Sequence, residues 1–382
     1  MSKMQRHVLI TGGAGFIGSR LATRLVQEGH RVTVVDNLLA QVHGDTPTQM
    51  STSFMQLPPE VEFVHGDVRE IGGQQALVDA ADTVFHLAAE TGTGQSMYEM
   101  GRYAAVNVLG TTAVLEAIAR RKQPLSQFCL ASSRSVYGEG RYQCEVHGSK
   151  FPADRSHNRF AEGIFDPLCP ECDKSMVAQS TQEDDKLNPL SIYAVTKLTQ
   201  EQLVSVASAQ CRFPTTVLRL QNVYGEGQSL TNPYTGILSI FATCALKDAD
   251  IEVFEDGLES RDFVHVSDVV EALTAAFNHS GDGCRTLNVG TGKPVSVIGL
   301  IEALANVLGR KVDYHVTGQV REGDIRHNFS NSQRLFDVLG VRANVSFEAG
   351  ITSYVEWLLS QSIPEDRYKQ SLDELKNRGL LS

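Results

Sequence analysis

The sequence predicts an α/β protein built on a doubly wound parallel sheet. Three observations carry that prediction. Short apolar, β-branched runs alternate with helical patterns, a glycine-rich turn joins the first run to its helix, and an acidic residue closes the second run. His7–Thr11 (HVLIT) reads as a buried strand. GGAGFIG follows from Gly12 to Gly18; Ile17, Leu21 and Leu25 then recur at helical spacing until Gly29 ends the helix. Val32–Val35 is the second strand, closed by Asp36. Val61–His65 leads into Gly66-Asp67-Val68, Val84–Leu87 leads into Ala88-Ala89, and Phe128–Ser132 is a further strand of the same kind. Ligands of such a sheet lie at the carboxyl ends of its strands. No repeat of roughly 20–50 residues interrupts the pattern.

Strand, glycine turn, helix, strand and acid in that order make the setting of a dinucleotide site. Gly12 permits the tight turn, Gly15 lets backbone N–H groups approach a pyrophosphate, and Gly18 lets helix and strand pack closely. Asp36 stands 18 residues after Gly18. A carboxylate there accepts hydrogen bonds from the adenosine ribose and repels a 2′-phosphate, so NAD is expected in preference to NADP. Asp67 would meet the adenine amino group or, more blandly, cap the next helix.

Lys and Arg number 34 against 45 Asp and Glu, a formal charge of −11. So acidic a chain offers no net cationic field to nucleic acid, although a few placed arginines would still hold a small anion. No apolar run reaches the roughly 18–20 residues of a bilayer span, and MSKMQRHVLITGG lacks the pattern of a secretory signal. Seven cysteines in 382 residues is an odd number, which argues against a disulfide framework and for a reducing, cytoplasmic setting. Two or three compact units are expected at this length.

Tyr193-Ala-Val-Thr-Lys197 lies in a helical pattern, which puts phenol and ammonium on one face. A phenol titrates near about pH 10 and is a poor base unless nearby positive charge stabilises its anion. Lys197 and a cationic nicotinamide ring are the expected sources of that charge. A hydroxyl at the end of a preceding strand would orient the reacting oxygen. Ser133 in LASSRSVYGEG is the candidate, with Ser132 and Ser135 as rivals and a satisfied turn serine as the plain alternative.

These residues sit inside longer motifs: TGGAGFIG, Asp36-Asn37, GDV, HLAA, SSRSVYG, YAVTK, RLQNVYG (Arg219–Gly225), RDFVHVSD (Arg261–Asp268), LNVGTG (Leu287–Gly292) and REGDIRH (Arg321–His327). Through them, and through its G-x-x-G-x-x-G spacing, the chain resembles the extended short-chain dehydrogenase/reductases, specifically the nucleotide-sugar epimerase/dehydratase family. The resemblance implies a Rossmann domain over 1–225, to which 266–293 returns, and a smaller, discontinuous carboxyl-terminal α/β domain over 226–265 and 294–382 that binds the nucleotide sugar. It implies cofactor contacts from Gly12, Gly15, Phe16, Ile17, Gly18, Asp36, Asn37, Asp67, Val68, Leu87, Ala88, Ala89, Asn107, Tyr193 and Lys197. It also implies Asn222 on the substrate diphosphate or sugar and Arg261 and Arg321 as a diphosphate clamp, a task that suits guanidinium. Surface ion pairs are the plain alternative for the two arginines.

Dehydratases resembling this chain carry Asp-Glu after the catalytic Thr, whereas Arg134 and Ser135 follow Ser133 here and make no acid–base pair. Ser135 also stands where 3,5-epimerases place Cys. Oxidation and re-reduction at carbon 4 remain, with NAD regenerated each turn. AETGTGQSMYE (Ala89–Glu99) and SSRSVYGEG most resemble the enzymes that interconvert dTDP-L-rhamnose and dTDP-6-deoxy-L-talose, which puts Gln95, Ser96 and Arg134 near the sugar. UDP-hexose or UDP-uronate 4-epimerisation is the close rival. Asn328, where some galactose epimerases carry a gating Tyr or Cys, leaves the choice open. A 4-ketoreductase and a nonenzymatic NAD-binding sensor are further readings; sensors of this fold tend to lose the Tyr or the Lys. A homodimer through helices Tyr98–Arg121 and Leu190–Gln210 is what the family implies.

An insert lies between Glu139 and Leu187, and with it 60 residues separate Ser133 from Tyr193. It carries Cys144-x-x-His147 and Cys169-x-x-Cys172, the spacing of a structural zinc knuckle. Its rivals are an ordinary loop and a redox-active Cys169/Cys172 pair; His157 is a spare ligand. Cys129, Cys211, Cys244 and Cys284 read as buried thiols.

Overall fold

Seven parallel strands form the main sheet of the computed structural model, which describes residues 4–155, 157–230, 232, 234, 236–279, 281–362 and 368–381. Across the sheet they run Cys284–Val289, Thr215–Leu220, Gln127–Ser133, Thr83–His86, His7–Thr11, Arg31–Asp36 and Glu62–His65. Strand order reverses beside His7–Thr11, where Thr11 lies between Val35 and His86. That reversal opens the crevice of an α/β sheet.

Alternating residues of one strand serve two cores. Val8 and Ile10 pack with helices Phe16–Gln27 and Val266–Asn278, whereas Leu9 packs on the opposite face with helix Gly110–Ala119. This is the doubly wound arrangement that the alternating pattern predicts. Thr215–Leu220 and Cys284–Val289 complete the sheet; the sequence reading named neither as a strand.

A second apolar cluster joins helices Ile237–Leu246, Val297–Leu308 and Phe347–Leu359. Strand Ser260–His265 stands between the two cores, with Phe263 in the second cluster and Val264 in the first. It pairs with Asn222–Tyr224, Pro294–Ser296 and His327–Asn328. Leu335, in helix Gln333–Leu339, packs into the main-sheet cluster.

The insert forms its own antiparallel sheet from Gly148–Lys150, Arg141–Cys144 and Val177–Gln179. Its buried apolar cluster is only Tyr142, Cys144, Cys169 and Met176. So small a core needs a further staple.

The two long helices expected at Tyr98–Arg121 and Leu190–Gln210 are present in altered form. The first is Met100–Tyr103, a π-helical segment Ala104–Leu109, then Gly110–Ala119. The second is Ile192–Cys211, capped by Ser191, whose hydroxyl accepts the Ala194 N–H at 3.2 Å. Among the described residues no helix is long and apolar enough to cross a membrane.

Candidate functional site

The three glycines of the first turn differ in what surrounds them. A Cβ on Gly12, whose φ is +69°, would meet Ala88 N at 2.6 Å; one on Gly18 would meet Gly12 O at 2.5 Å. A Cβ on Gly15 would meet only Gly12 O, at 3.3 Å. Gly12 and Gly18 are thus required by close backbone approach, and Gly15 borders open space. Gly15 is also the N-cap of helix Phe16–Gln27 and supplies no side-chain cap. Helix N–H groups left in this way are an anion site when they face open space.

Asp36 is nearly buried, and its carboxylate accepts the Ala14 and Leu38 N–H groups at 3.1 and 2.9 Å. Asp67 does perform the capping role, accepting the Arg69 N–H at 2.9 Å. It also holds the Arg69 guanidinium at 2.8 and 2.7 Å, which brings its carboxyl down to about 2. Asn37 donates to the same carboxylate at 3.3 Å. Val68 is buried, and Leu87, Ala88 and Ala89 follow the strand end half-buried. Asn107 is fully buried. Its amide accepts the Glu90 N–H at 2.8 Å and donates to Glu90 O and Thr196 Oγ1 at 3.1 and 2.9 Å. All of these Asn107 bonds go to the protein, so it ties the crevice wall to the Tyr193 helix.

The Tyr193 N–H donates to Ser96 Oγ at 3.0 Å, and Ser96 in turn donates to Thr93 O at 2.6 Å. Ser96 therefore fixes the first turn of the helix. Burial raises the Tyr193 phenol above its ordinary value, while a hydrogen bond with Ser133 and the charge of Arg134 pull it back. The opposing pull expected from Lys197 comes from these neighbours instead. Ser133 Oγ also accepts the Ser135 N–H at 3.2 Å. The rival Ser132 is committed elsewhere: it donates to Glu201, which grips Arg219 at 2.7 Å. Ser135 keeps a buried hydroxyl with no partner among the described residues. Lys197 is 3% exposed, and burial brings its ammonium down to about 8 against the pull of Glu201.

Arginines converge above this pair. Arg134 Nε donates to Asn222 Oδ1 at 2.7 Å; burial, then the charge of Arg261, lower its affinity for its proton. Arg261 Nη1 donates to Ser260 O and Arg326 O, and its Nη2 to Asp324 and Ile325 O. Those four bonds leave mainly its Nε for any ligand. Arg321 Nη2 donates to Asp324 at 2.6 Å, and its Nε is buried without a partner among the described residues. Burial raises the Asp324 carboxyl, but Arg321 and Arg261 outweigh it and hold the group below the usual carboxylate range. Asp324 is a site residue that sequence reasoning missed, although it lies inside REGDIRH. Gln95 is taken up by Gln41, Glu99 and Tyr103. Asn328 is 2% exposed, and both its amide atoms lack partners among the described residues.

In the insert, ligand atoms of Cys144, His147, Cys169 and Cys172 all lie within 4.8 Å of one another. The Cys144 and Cys172 sulfurs are 3.7 Å apart, and His147 Nδ1 lies 3.4 Å from Cys169 and 3.8 Å from Cys144. A disulfide would need about 2.05 Å. Zn–S bonds of about 2.3 Å in a tetrahedron give sulfur–sulfur edges of about 3.8 Å. The side chain of His157 lies outside the described residues. Cys129 and Cys244 are buried as expected, but Cys211 is half-buried and Cys284 is exposed at the start of an edge strand.

The model of the NAD dependent epimerase/dehydratase family matches residues 8–160 and 169–290. The chain belongs to that family. It is 34% identical over 358 residues to a dTDP-L-rhamnose 4-epimerase of Burkholderia thailandensis, covering 93% of this chain and 96% of the relative. A putative UDP-glucose 4-epimerase of Methanocaldococcus jannaschii is 28% identical, covering 92% and 98%. The solved structure of MoeE5 in complex with UDP-glucuronic acid and NAD matches with a TM-score of 0.73 and 30% identity, covering 92% of this chain and 99% of that one. As a member of this group the protein is an NAD-dependent nucleotide-sugar epimerase.

Lys197 gives a pH test. Its folded-state value of about 8 lies below the unfolded value, so the folded protein binds fewer protons between the two. The cost of the buried cation is therefore full below about pH 8 and is relieved as pH rises towards about 10. Relative to Lys197→Met, cofactor-free wild-type protein should gain about 3 kcal/mol across that window. Urea denaturation of both at each pH reads the difference, and a flat difference contradicts the assignment.

Proposed function

We propose that this enzyme interconverts the carbon-4 epimers dTDP-L-rhamnose and dTDP-6-deoxy-L-talose through a transient 4-keto sugar. The observation that carries the reading is the placement of Tyr193 in the first turn of its helix, one turn from the buried Lys197, with Ser133 and Arg134 at the strand end both acting on its phenol and no carboxylate pair beside it. Tyr193 Oη takes the proton of the carbon-4 hydroxyl and later returns it, while Ser133 orients that oxygen. Bound NAD supplies the hydride acceptor and donor, and a positive ring charge that adds to the pull of Arg134 on the phenol. Lys197 donates to the cofactor ribose, and Asp36 accepts from the other ribose. Phe16, Ile17 and Gly18, at the head of an uncapped helix, hold the pyrophosphate. The nucleotide sugar is bound by the lobe of 226–265 and 294–382, with Arg321 and the free Nε of Arg261 on its diphosphate. Asn222 and Arg134 border the sugar, and the buried Gln95 and Ser96 support that wall from behind.

The likeness to the Burkholderia enzyme favours a dTDP-6-deoxy sugar. The likeness to MoeE5, solved with UDP-glucuronic acid, keeps a UDP-uronate as the second reading. Purified protein should epimerise dTDP-L-rhamnose without added nicotinamide, as followed by NMR. Tyr193→Phe should lower turnover by about 10²–10⁴-fold and still retain NAD. Dependence on added NADPH would indicate a ketoreductase, turnover of UDP-glucuronate alone would move the substrate, and no turnover of any nucleotide sugar would indicate a sensor.

Cys144, His147, Cys169 and Cys172 bind one structural zinc, since four protein ligands leave no open position for catalysis. Elemental analysis of untagged protein should give about one zinc per chain, and a well-folded protein with none removes the site.

Two copies pair through the long helices, where Leu109, Val195 and Val206 are 61%, 45% and 69% exposed. Light scattering should read a dimer and Val206→Glu a monomer; a monomeric wild type discards the pairing.

A further inference from the structure

The segment Arg321–Asn331 carries Arg321, Asp324 and Asn328, yet its only regular structure is the two-residue strand His327–Asn328. Strand Ser260–His265, Glu255 and Asp256 hold it on one side, and the Cys/His insert holds it on the other. Arg155 Nη2 donates to Asp324 O at 3.1 Å, and the Arg326 N–H donates to Glu139 Oε2 at 3.0 Å. Asp166 accepts Arg326 Nε at 2.6 Å and lies 3.1 Å from His327 Nε2. Thr181 continues the contact, donating to Phe329 O at 2.9 Å and accepting the Asn331 N–H at 2.8 Å. The clamp is buried: the side chains of Glu139, Arg155 and Arg326 are 1%, 5% and 2% exposed. Arg155 also ties Glu139 at 3.0 Å to Glu255 at 2.6 Å.

This clamp reaches the substrate arginines directly. Three of the acceptors on the Arg261 guanidinium are Asp324, Ile325 O and Arg326 O, and Asp324 holds Arg321 as well. A shift of the segment therefore moves both guanidiniums. The insert has little core to keep its own shape, and two of its buried residues, Cys144 and Cys169, belong to the metal-ligand group. Asp166 stands three residues before Cys169 and Glu139 five before Cys144, so both anchors lie close along the chain to the ligand group.

We propose that the Cys/His insert is a strut for the 321–331 segment, and that Arg155, Glu139 and Asp166 are positioning residues for the nucleotide-sugar diphosphate. The second half rests on the nucleotide-sugar reading above and the Cys172 arm on the zinc reading; the Arg155 arm rests on neither. Hydrogen exchange on the full-length, zinc-loaded protein tests the strut whatever the substrate. Cys172→Ser and Arg155→Met should each speed exchange in 321–331 about tenfold or more, the loss expected when a charge-assisted bond is removed. Strands His7–Thr11 and Arg31–Asp36 should keep their protection. Unchanged protection of 321–331 in Arg155→Met, which leaves the ligands intact, overturns the strut, and so does unchanged protection in Cys172→Ser when elemental analysis shows that the wild type holds zinc and the variant does not. On the functional side, Arg155→Met should raise KM for the nucleotide sugar about tenfold with kcat within about twofold and NAD content unchanged, and Arg155→Lys should recover part of the loss. A fall in kcat at constant KM overturns the positioning role. A wild type that turns over no nucleotide sugar counts against the proposed function alone, because the exchange experiment still decides the strut.

Discussion

The site depends on one helix being held still at its first turn. In the proposed reaction Tyr193 must meet a carbon-bound hydroxyl in a narrow range of geometry, and the helix that carries it is long and only partly apolar. Side chains from elsewhere in the fold pin it: Ser96 at the Tyr193 N–H, Asn107 at Thr196, Thr111 at Gln200, and Arg219 and Ser132 at Glu201. The first two bonds are each worth about 0.5–1.5 kcal/mol, and removing one partner of the buried Arg219–Glu201 pair costs about 3–5 kcal/mol. The π-helical segment Ala104–Leu109 belongs to the same device, because Asn107 lies within it and is fully buried there.

Around that helix stand several buried or half-buried charges, and most of them are paired. Arg326 faces Asp166, Glu255 and Asp256, Arg261 and Arg321 share Asp324, and Arg102 holds Glu90 and Glu99. Isolated buried charge is costly, so pairing is the rule. Not every charged atom is matched: among the described residues Arg285 Nε and Nη2, Glu259 Oε2 and Arg321 Nε are buried without hydrogen-bond partners. Of these, Arg321 Nε stands where the proposed reaction needs a donor.

Much of this was legible in the chain itself. The glycine turn, Asp36, and the Tyr193–Lys197 spacing are local patterns with a fixed physical meaning, and the strands they predict lie within a residue or so of those observed. The cysteine spacing likewise placed four ligands together. What escaped was long-range. Nothing near Ser132 in sequence shows that Glu201 will take its hydroxyl, or that Ser96 will hold the Tyr193 N–H. Arg261 carries a motif signature, but the acceptors on its Nη groups, mostly in residues 324–326, are visible only once strand Ser260–His265 lies beside His327–Asn328. Thr215–Leu220 and Cys284–Val289 are ordinary parallel strands, and their punctuation is in the chain: Pro214 precedes the first, and Gly281-Asp282-Gly283 and Gly290-Thr291-Gly292 bracket the second. Cys284 reads as a core thiol from its neighbours, yet it begins an edge strand and is exposed.

Strand Ser260–His265 has a mechanical consequence. Phe263 and Val264 are adjacent residues, and each is locked into a different apolar cluster. The strand works as a rivet through both halves of the molecule, so swinging them apart would tear side chains from two interiors at once. A molecule riveted in this way holds its two interiors in register. In the proposed reaction, turning the six-membered ring over is then left to the ring itself, swivelling on its phosphate tether.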